Sequence, residues 1–258
     1  MQLHFSQVFQ GDIWHQSLSG DRLLLTIRDQ EQLKVSFTLL DLRTGKRLFE
    51  ALSFEEEWWI STYHFFENTV VFQVYEDSQD MDRKHYFALD ISSQEVIWEM
   101  DQVQATGRHG DLIQLKSLEA GEVLFYLDIR TGETFGNWPE NYSEPIISDS
   151  PQHPLHYVEE GDHFDTIKAF GSRKLGKILV GACDYLEYRQ LVFLAYHTRE
   201  EAGMSNELVV INPEKGMLLN KTLCQNMKGL TSGAFFIVQE QLIFVEGKNT
   251  LNSYIINN

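Results

Sequence analysis

The stretch Leu40-Asp41-Leu42-Arg43-Thr44-Gly45-Lys46 closes an apolar, β-rich run (Val35 to Leu40) and leads into a second that opens with Leu48-Phe49. The pattern returns as Leu89-Asp90-Ile91-Ser92-Ser93-Gln94-Glu95, as Leu127-Asp128-Ile129-Arg130-Thr131-Gly132-Glu133 and as Ile211-Asn212-Pro213-Glu214-Lys215-Gly216-Met217. In each, an Asp or Asn ends the first strand, where its short side chain can accept hydrogen bonds from turn amides. In three of the four, glycine near the turn's end supplies the positive φ that a tight hairpin demands. The unit is a β-hairpin.

Spacing decides what the hairpins build. Asp41, Asp90, Asp128 and Asn212 stand 49, 38 and 84 residues apart. The last interval is two steps of about 42, inside the range of four-stranded propeller blades. A degenerate unit is therefore expected at Thr166-Ile167-Lys168-Ala169-Phe170-Gly171-Ser172, and another at Tyr254-Ile255-Ile256-Asn257. Two further strand-like runs precede the hairpin in the clearer units: Ile13 to Leu18 and Arg22 to Ile27, Trp58 to Phe65 and Thr69 to Tyr75, Asp184 to Arg189 and Leu191 to Tyr196. With no amphipathic helix pattern between them, the chain reads as all-β. It is expected to form one β-propeller domain over residues 1–258, of six four-stranded blades, with five or seven as alternatives. The expected blades are 11–53, 54–101, 102–140, 141–182, 183–225, and 226–258 plus 1–10. The last of these runs out of chain after three strands, at Leu251 to Ile256, while Leu3 to Val8 has no other partner. Pairing the two closes the ring and removes two exposed sheet edges.

The Asp-x-x-Thr-Gly hairpins at Asp41 and Asp128, with the related turn at Asp90 followed by Trp98, are similar to the turns of quinoprotein-type β-propeller repeats. Gly11-Asp12-Ile13-Trp14, Ile27-Arg28-Asp29, Glu56-Glu57-Trp58-Trp59, Phe87-Ala88-Leu89-Asp90 with Ile97-Trp98, and Asp184-Tyr185-Leu186-Glu187 are short segments spread over most of the chain. Through them it resembles an uncharacterised, Bacteroidetes-type family of propeller-like proteins known as a domain of unknown function. The resemblance implies a propeller and supplies no activity. No Gly-His…Trp-Asp signature points to WD40 repeats, and no quinoprotein ligand set is recognisable.

The composition is that of a soluble globular protein: 43% hydrophobic and 23% charged residues, which argues against disorder. A formal charge of −17 repels nucleic acid and anionic membranes. No apolar run approaches the roughly 18 residues that a membrane span needs. The first residues show neither a basic region nor an apolar core of a signal peptide. Cys183 and Cys224 lack C-x-x-C spacing, which suggests two small buried hydrophobes and a reducing, cytoplasmic location. A monomer is expected.

No G-x-S-x-G, G-x-x-x-x-G-K-S/T, H-E-x-x-H or G-x-G-x-x-G motif occurs, which favours a non-catalytic role. Polar residues on the first strands of the blades are the candidates for ligand binding: His15, Tyr63 or His64, Arg108, Asp149, Asp184 and Glu187. Trp58, beside Trp59, is a candidate rim contact, because adjacent tryptophans on a strand face opposite sides. His153, His156 and His163 lie among carboxylates in a composition that suits a metal, but their spacing reads as a solvated loop, and no metal site is assigned. Glu76, Asp77, Asp80 and Asp82 read as an exposed hairpin loop, lacking the glycine and downstream Glu of an EF-hand. No cofactor is expected, although a cation in the channel fits the carboxylates. The expectation is a propeller that binds a protein or small molecule at a rim or in the channel. The alternative is a metal-dependent, lactonase-like hydrolase using Asp149, Asp184 and Glu187.

Overall fold

All four Asp/Asn hairpins form. The Asp41 carboxylate accepts from the backbone N–H of Arg43 and Thr44 at 2.8 and 3.1 Å, and Asp90 from Ser92 and Ser93 at 2.9 and 2.8 Å. Asp128 accepts from Arg130 at 2.8 Å, and the Asn212 amide oxygen from Glu214 and Lys215, each at 2.9 Å. Gly45, Gly132 and Gly216 take φ of 68°, 77° and 89° at the turn ends, and Gln94 takes 59° at the fourth. The coordinates are a computed structural model that describes every residue except 77–82, 120, 122, 141, 144, 146–149 and 258.

The described residues form five sheets in two compact units, Trp14–Ser148, and Met1–Ile13 with Asp149–Asn258. The first unit holds three sheets whose strands lie in chain order. The first is β2 (Asp12–Ser19), β3 (Arg22–Asp29), β4 (Lys34–Asp41) and β5 (Arg47–Leu52). The second is β6 (Ile60–Phe66), β7 (Thr69–Tyr75), β8 (Lys84–Asp90) and β9 (Val96–Met100). The third is β10 (Val103–His109), β11 (Leu112–Ser117), β12 (Leu124–Asp128) and β13 (Thr134–Phe135). Central strands such as β3, β4 and β7 are near-continuous apolar runs because both their faces are covered. Leu24, Phe37, Leu39, Val70 and Phe72 pack into one cluster, and Val71, Tyr86, Ile113, Leu115 and Leu127 into the next. Each such side chain contributes about 1.5–3 kcal/mol by leaving water.

The second unit holds a five-stranded sheet, β14 (Leu155–Val158), β15 (Ala182–Tyr188), β16 (Leu191–Glu200), β17 (Gly203–Asn212) and β18 (Gly216–Met227). Beside its chain order stands a four-stranded sheet in the order β1 (Gln2–Val8), β21 (Thr250–Ile255), β20 (Gln241–Glu246) and β19 (Phe235–Val238). The N-terminal run therefore pairs as expected: β1 lies antiparallel to β21 from Gln2↔Ile255 to Val8↔Thr250.

Five sheets stand among the described residues, where the spacing led to six with five or seven as alternatives, and residues 141–182 build no sheet of their own there. Thr166 to Ser172 is no hairpin but part of helix α1 (Phe164–Leu175). Phe164, Ile167 and Gly171 recur at helical spacing and are buried, and Gly176 ends the helix in the left-handed conformation. Gly171 serves close packing: a Cβ there would lie 2.4 Å from a Leu179 methyl carbon. No helix among the described residues is long and apolar enough to cross a membrane.

Candidate functional site

The edge strands β6 and β10 of the first unit bring Tyr63, His64 and Arg108 together, and His15 on edge strand β2 stands near enough to feel the Arg108 charge. β6 carries a bulge between Thr62 and His64 where it pairs with β7, and β10 one between Ala105 and Gly107 where it pairs with β11. Tyr63 is the extra residue of the first bulge, and such a residue is re-aimed out of the regular ladder. Its hydroxyl reaches the Gly107 carbonyl at 3.4 Å. Arg108 donates from Nη1 to the Tyr63 carbonyl at 3.1 Å and places its guanidinium 5.5 Å from the Tyr63 ring centre. The His64 imidazole is fixed by Nε2–H donating to the Gly110 carbonyl at 2.6 Å, which leaves Nδ1 as an acceptor. Among the described residues Arg108 has no carboxylate partner.

The cluster is electrostatically coupled. Partial burial holds the His15 and His64 imidazoles below their ordinary pKa, and the Arg108 charge pushes both the same way, while the Gly110 hydrogen bond partly offsets the effect at His64. Burial raises the Tyr63 phenol, with Arg108 opposing. At neutral pH the group thus presents one fixed cation, two neutral imidazoles and a neutral phenol.

Trp58 and Trp59 precede β6 rather than lying on a strand, so a turn and not strand alternation divides them. Both backbone N–H groups donate to the Glu56 carboxylate, at 2.8 and 2.7 Å. Trp58 packs against the core of its unit, and Trp59 keeps 45% of its surface exposed. The sequence reading missed the stack above Trp58. The Arg28 guanidinium lies 5.0 Å from its ring centre and 4.5 Å from that of exposed Trp14.

In the second unit β15 is the second strand rather than the first, because β14 occupies the edge the sequence left open. Asp184 and Glu187 do not meet. Asp184 is buried, taking His156 Nδ1–H at 2.7 Å on one oxygen and the Ala234 N–H at 2.8 Å on the other. Glu187 is exposed and accepts from the Tyr185 hydroxyl. Asp149 lies outside the described residues, as do Asp77, Asp80 and Asp82 of the acidic loop. Cys183 is buried and its thiol is pushed up to about 12, by burial first and by Asp184 second; Cys224 is half-buried, and both are free. A second buried carboxylate, Glu207, was also missed. It accepts from the Tyr196 hydroxyl at 2.8 Å and pairs with Lys177 at 3.2 Å. The signal was a polar triplet, Ser205-Asn206-Glu207, inside an otherwise apolar strand.

Residues 16–98, less than half of the chain, match the family model described as "Domain of unknown function (DUF4905)". A comparison with curated proteins finds no match. Among solved structures the chain is similar to BamB from Moraxella catarrhalis, at 12% identity over 91% of this chain and 74% of that one, with a TM-score of 0.30. It is similar to the beta-propeller domain of the Trilobed protease from Pyrococcus furiosus, at 9% identity over 96% and 70%, TM-score 0.34. It is also similar to a member of the duf4221 family from Bacteroides vulgatus, at 10% identity over 98% and 94%, TM-score 0.34.

Proposed function

We propose that the chain is a β-propeller whose sheets are the blades and whose strand β1 closes the last of them. We further propose that it works as a non-catalytic binding module, holding a small ligand at His15, Tyr63, His64 and Arg108. The observation that supports this most is Arg108. Its guanidinium lies over the Tyr63 ring and on the Tyr63 carbonyl, with no carboxylate partner among the described residues. A guanidinium carries five N–H donors, and the hydrogen bond to the Tyr63 carbonyl uses one of them. Bulged Tyr63 and the fixed His64 ring add polar groups on a neighbouring edge strand. The hydrolase alternative finds less support. Both Asp184 oxygens are committed to His156 and Ala234, and Glu187 points to the other face of β15.

Thermal unfolding in the presence of a panel of small carboxylates, inorganic phosphate, sulfate, neutral sugars and amino acids tests the reading. At least one of them is expected to raise the melting temperature of the wild type and leave Arg108→Gln unmoved. Ligand at a hundred times its Kd adds about 2.7 kcal/mol of stability. A panel without effect, or equal shifts in the two proteins, overturns the proposal.

A further inference from the structure

We infer that the His15, Tyr63, His64 and Arg108 cluster takes an oxyanion, a carboxylate or its tetrahedral counterpart, and that it takes up a proton together with the anion. The inference rests on the binding role proposed above and adds the ligand's chemistry and its regulation. The guanidinium presents paired N–H groups in one plane, the geometry that matches two oxygens of a carboxylate, phosphate or sulfate. The Tyr63 hydroxyl sits 3.4 Å from the Gly107 carbonyl, at the far limit of a hydrogen bond, so it can turn to an incoming oxygen at little cost. A cation at this place would meet Arg108 with no described carboxylate to offset it. A neutral ligand would leave the guanidinium uncompensated.

The proton follows from the imidazoles. The charged group acting on His15 is Arg108, from β10. His64 meets Arg108 from β10, the Gly110 carbonyl from the turn after it, and the Phe66 ring on its own strand. No carboxylate stands among these neighbours. An anion on Arg108 cancels the field that disfavours imidazolium and adds attraction of its own, so both imidazoles become easier to protonate when the site is filled. By linkage, a group that binds protons more tightly in the complex makes the complex tighter as pH falls. Affinity therefore rises from pH 8 to pH 6, through the ordinary imidazole range.

Titration calorimetry with sulfate and, separately, with propionate as probes separates the sources, since neither anion titrates appreciably above pH 6. For at least one probe, affinity is expected to tighten about fivefold between pH 8 and pH 6, a gain of about 1 kcal/mol. At pH 6.5, two buffers of different ionisation enthalpy should report net proton uptake. Arg108→Gln should abolish binding. His15→Gln with His64→Gln should keep weak binding and lose both the pH dependence and the proton uptake, because glutamine retains hydrogen bonding without titrating. Binding that is equal at pH 8 and pH 6, or that proceeds without proton uptake, overturns the coupling. Arg108-dependent binding of a neutral sugar with no binding of either anion overturns the anion assignment and leaves the binding role standing. No binding by any probe removes both.

Discussion

Gln94 occupies the backbone position that Gly45, Gly132 and Gly216 fill in the other three hairpins, and it takes the same left-handed conformation with a side chain attached. That conformation costs an ordinary residue about 1 kcal/mol or more, while glycine adopts it freely but loses more entropy on folding. Gln94→Gly is therefore expected to stabilise the protein by about 0.5 kcal/mol in urea unfolding, and a loss of stability would mean that the Gln94 side chain makes a compensating contact. The glycines themselves separate strain from crowding. Around Gly216 a Cβ would meet nothing within 4 Å, so Gly216→Ala costs backbone strain alone. At Gly132 the Cβ would lie 2.9 Å from the Trp98 Cβ, and Trp98 is itself held by its indole N–H on the Ile129 carbonyl at 2.8 Å. Gly132→Ala should cost at least about 1 kcal/mol more than Gly216→Ala, since a tryptophan pinned between two sheets has nowhere to retreat. Equal losses would show that Trp98 moves freely.

Strand β1 is the element on which the second unit depends most visibly, because it comes from the opposite end of the chain to its partner. Without it, β21 would present a row of unpaired backbone groups next to Leu251 and Ser253, both buried. Deleting residues 1–9 also removes Phe9, buried to 95%. The melting temperature should drop by about 10 °C or more, several kcal/mol at about 2–4 °C per kcal/mol for a domain of this size. A synthetic peptide of residues 1–9 should restore part of the loss by adding itself to the open edge. If the truncated protein melts like the full chain, β1 contributes nothing to its sheet. The pairing was legible because the periodic scheme left one strand short at one end and one spare at the other. Likewise, the strands around Asp41 and Asp90 were legible to within two residues, since alternation, Asx turns and glycine all pointed one way. Helix α1 was not, because Phe170-Gly171 imitates the end of a strand, and the decisive facts are three-dimensional: Gly171 against Leu179, and Gly176 as the helix end. The site was half legible. His15, Tyr63 and Arg108 could be placed on first strands by counting, but the bulge that singles out Tyr63 leaves no mark in a single sequence. Asp184 was misplaced by one strand because β14, four residues long and separated from β15 by α1, carries no turn signal to announce it.

At the scale of the whole molecule the charge balance competes with the ion pairs. Lys34–Glu57 at 3.1 Å, Lys168–Glu159 at 3.0 Å and Arg43–Asp21 at 2.9 Å are exposed or partly exposed, and such pairs contribute about 0–1 kcal/mol each. Against them stand 38 acidic side chains with 21 basic ones, so a formal 17 negative charges repel one another across the folded surface. Folding brings these charges closer than they are in the expanded chain, and the repulsion acts over about 30 Å at 0.01 M salt but only about 8 Å at 0.15 M. The contacts of an ion pair are shorter than either length, so screening relieves the repulsion more than it weakens the pairs. Raising sodium chloride from 10 to 150 mM at pH 8 should therefore raise the melting temperature by a few degrees. Potassium chloride should do the same, because the effect belongs to ionic strength and not to a bound ion. A melting temperature that falls with salt would mean that the local pairs outweigh the surplus, and a rise with only one of the two cations would point to a specific site.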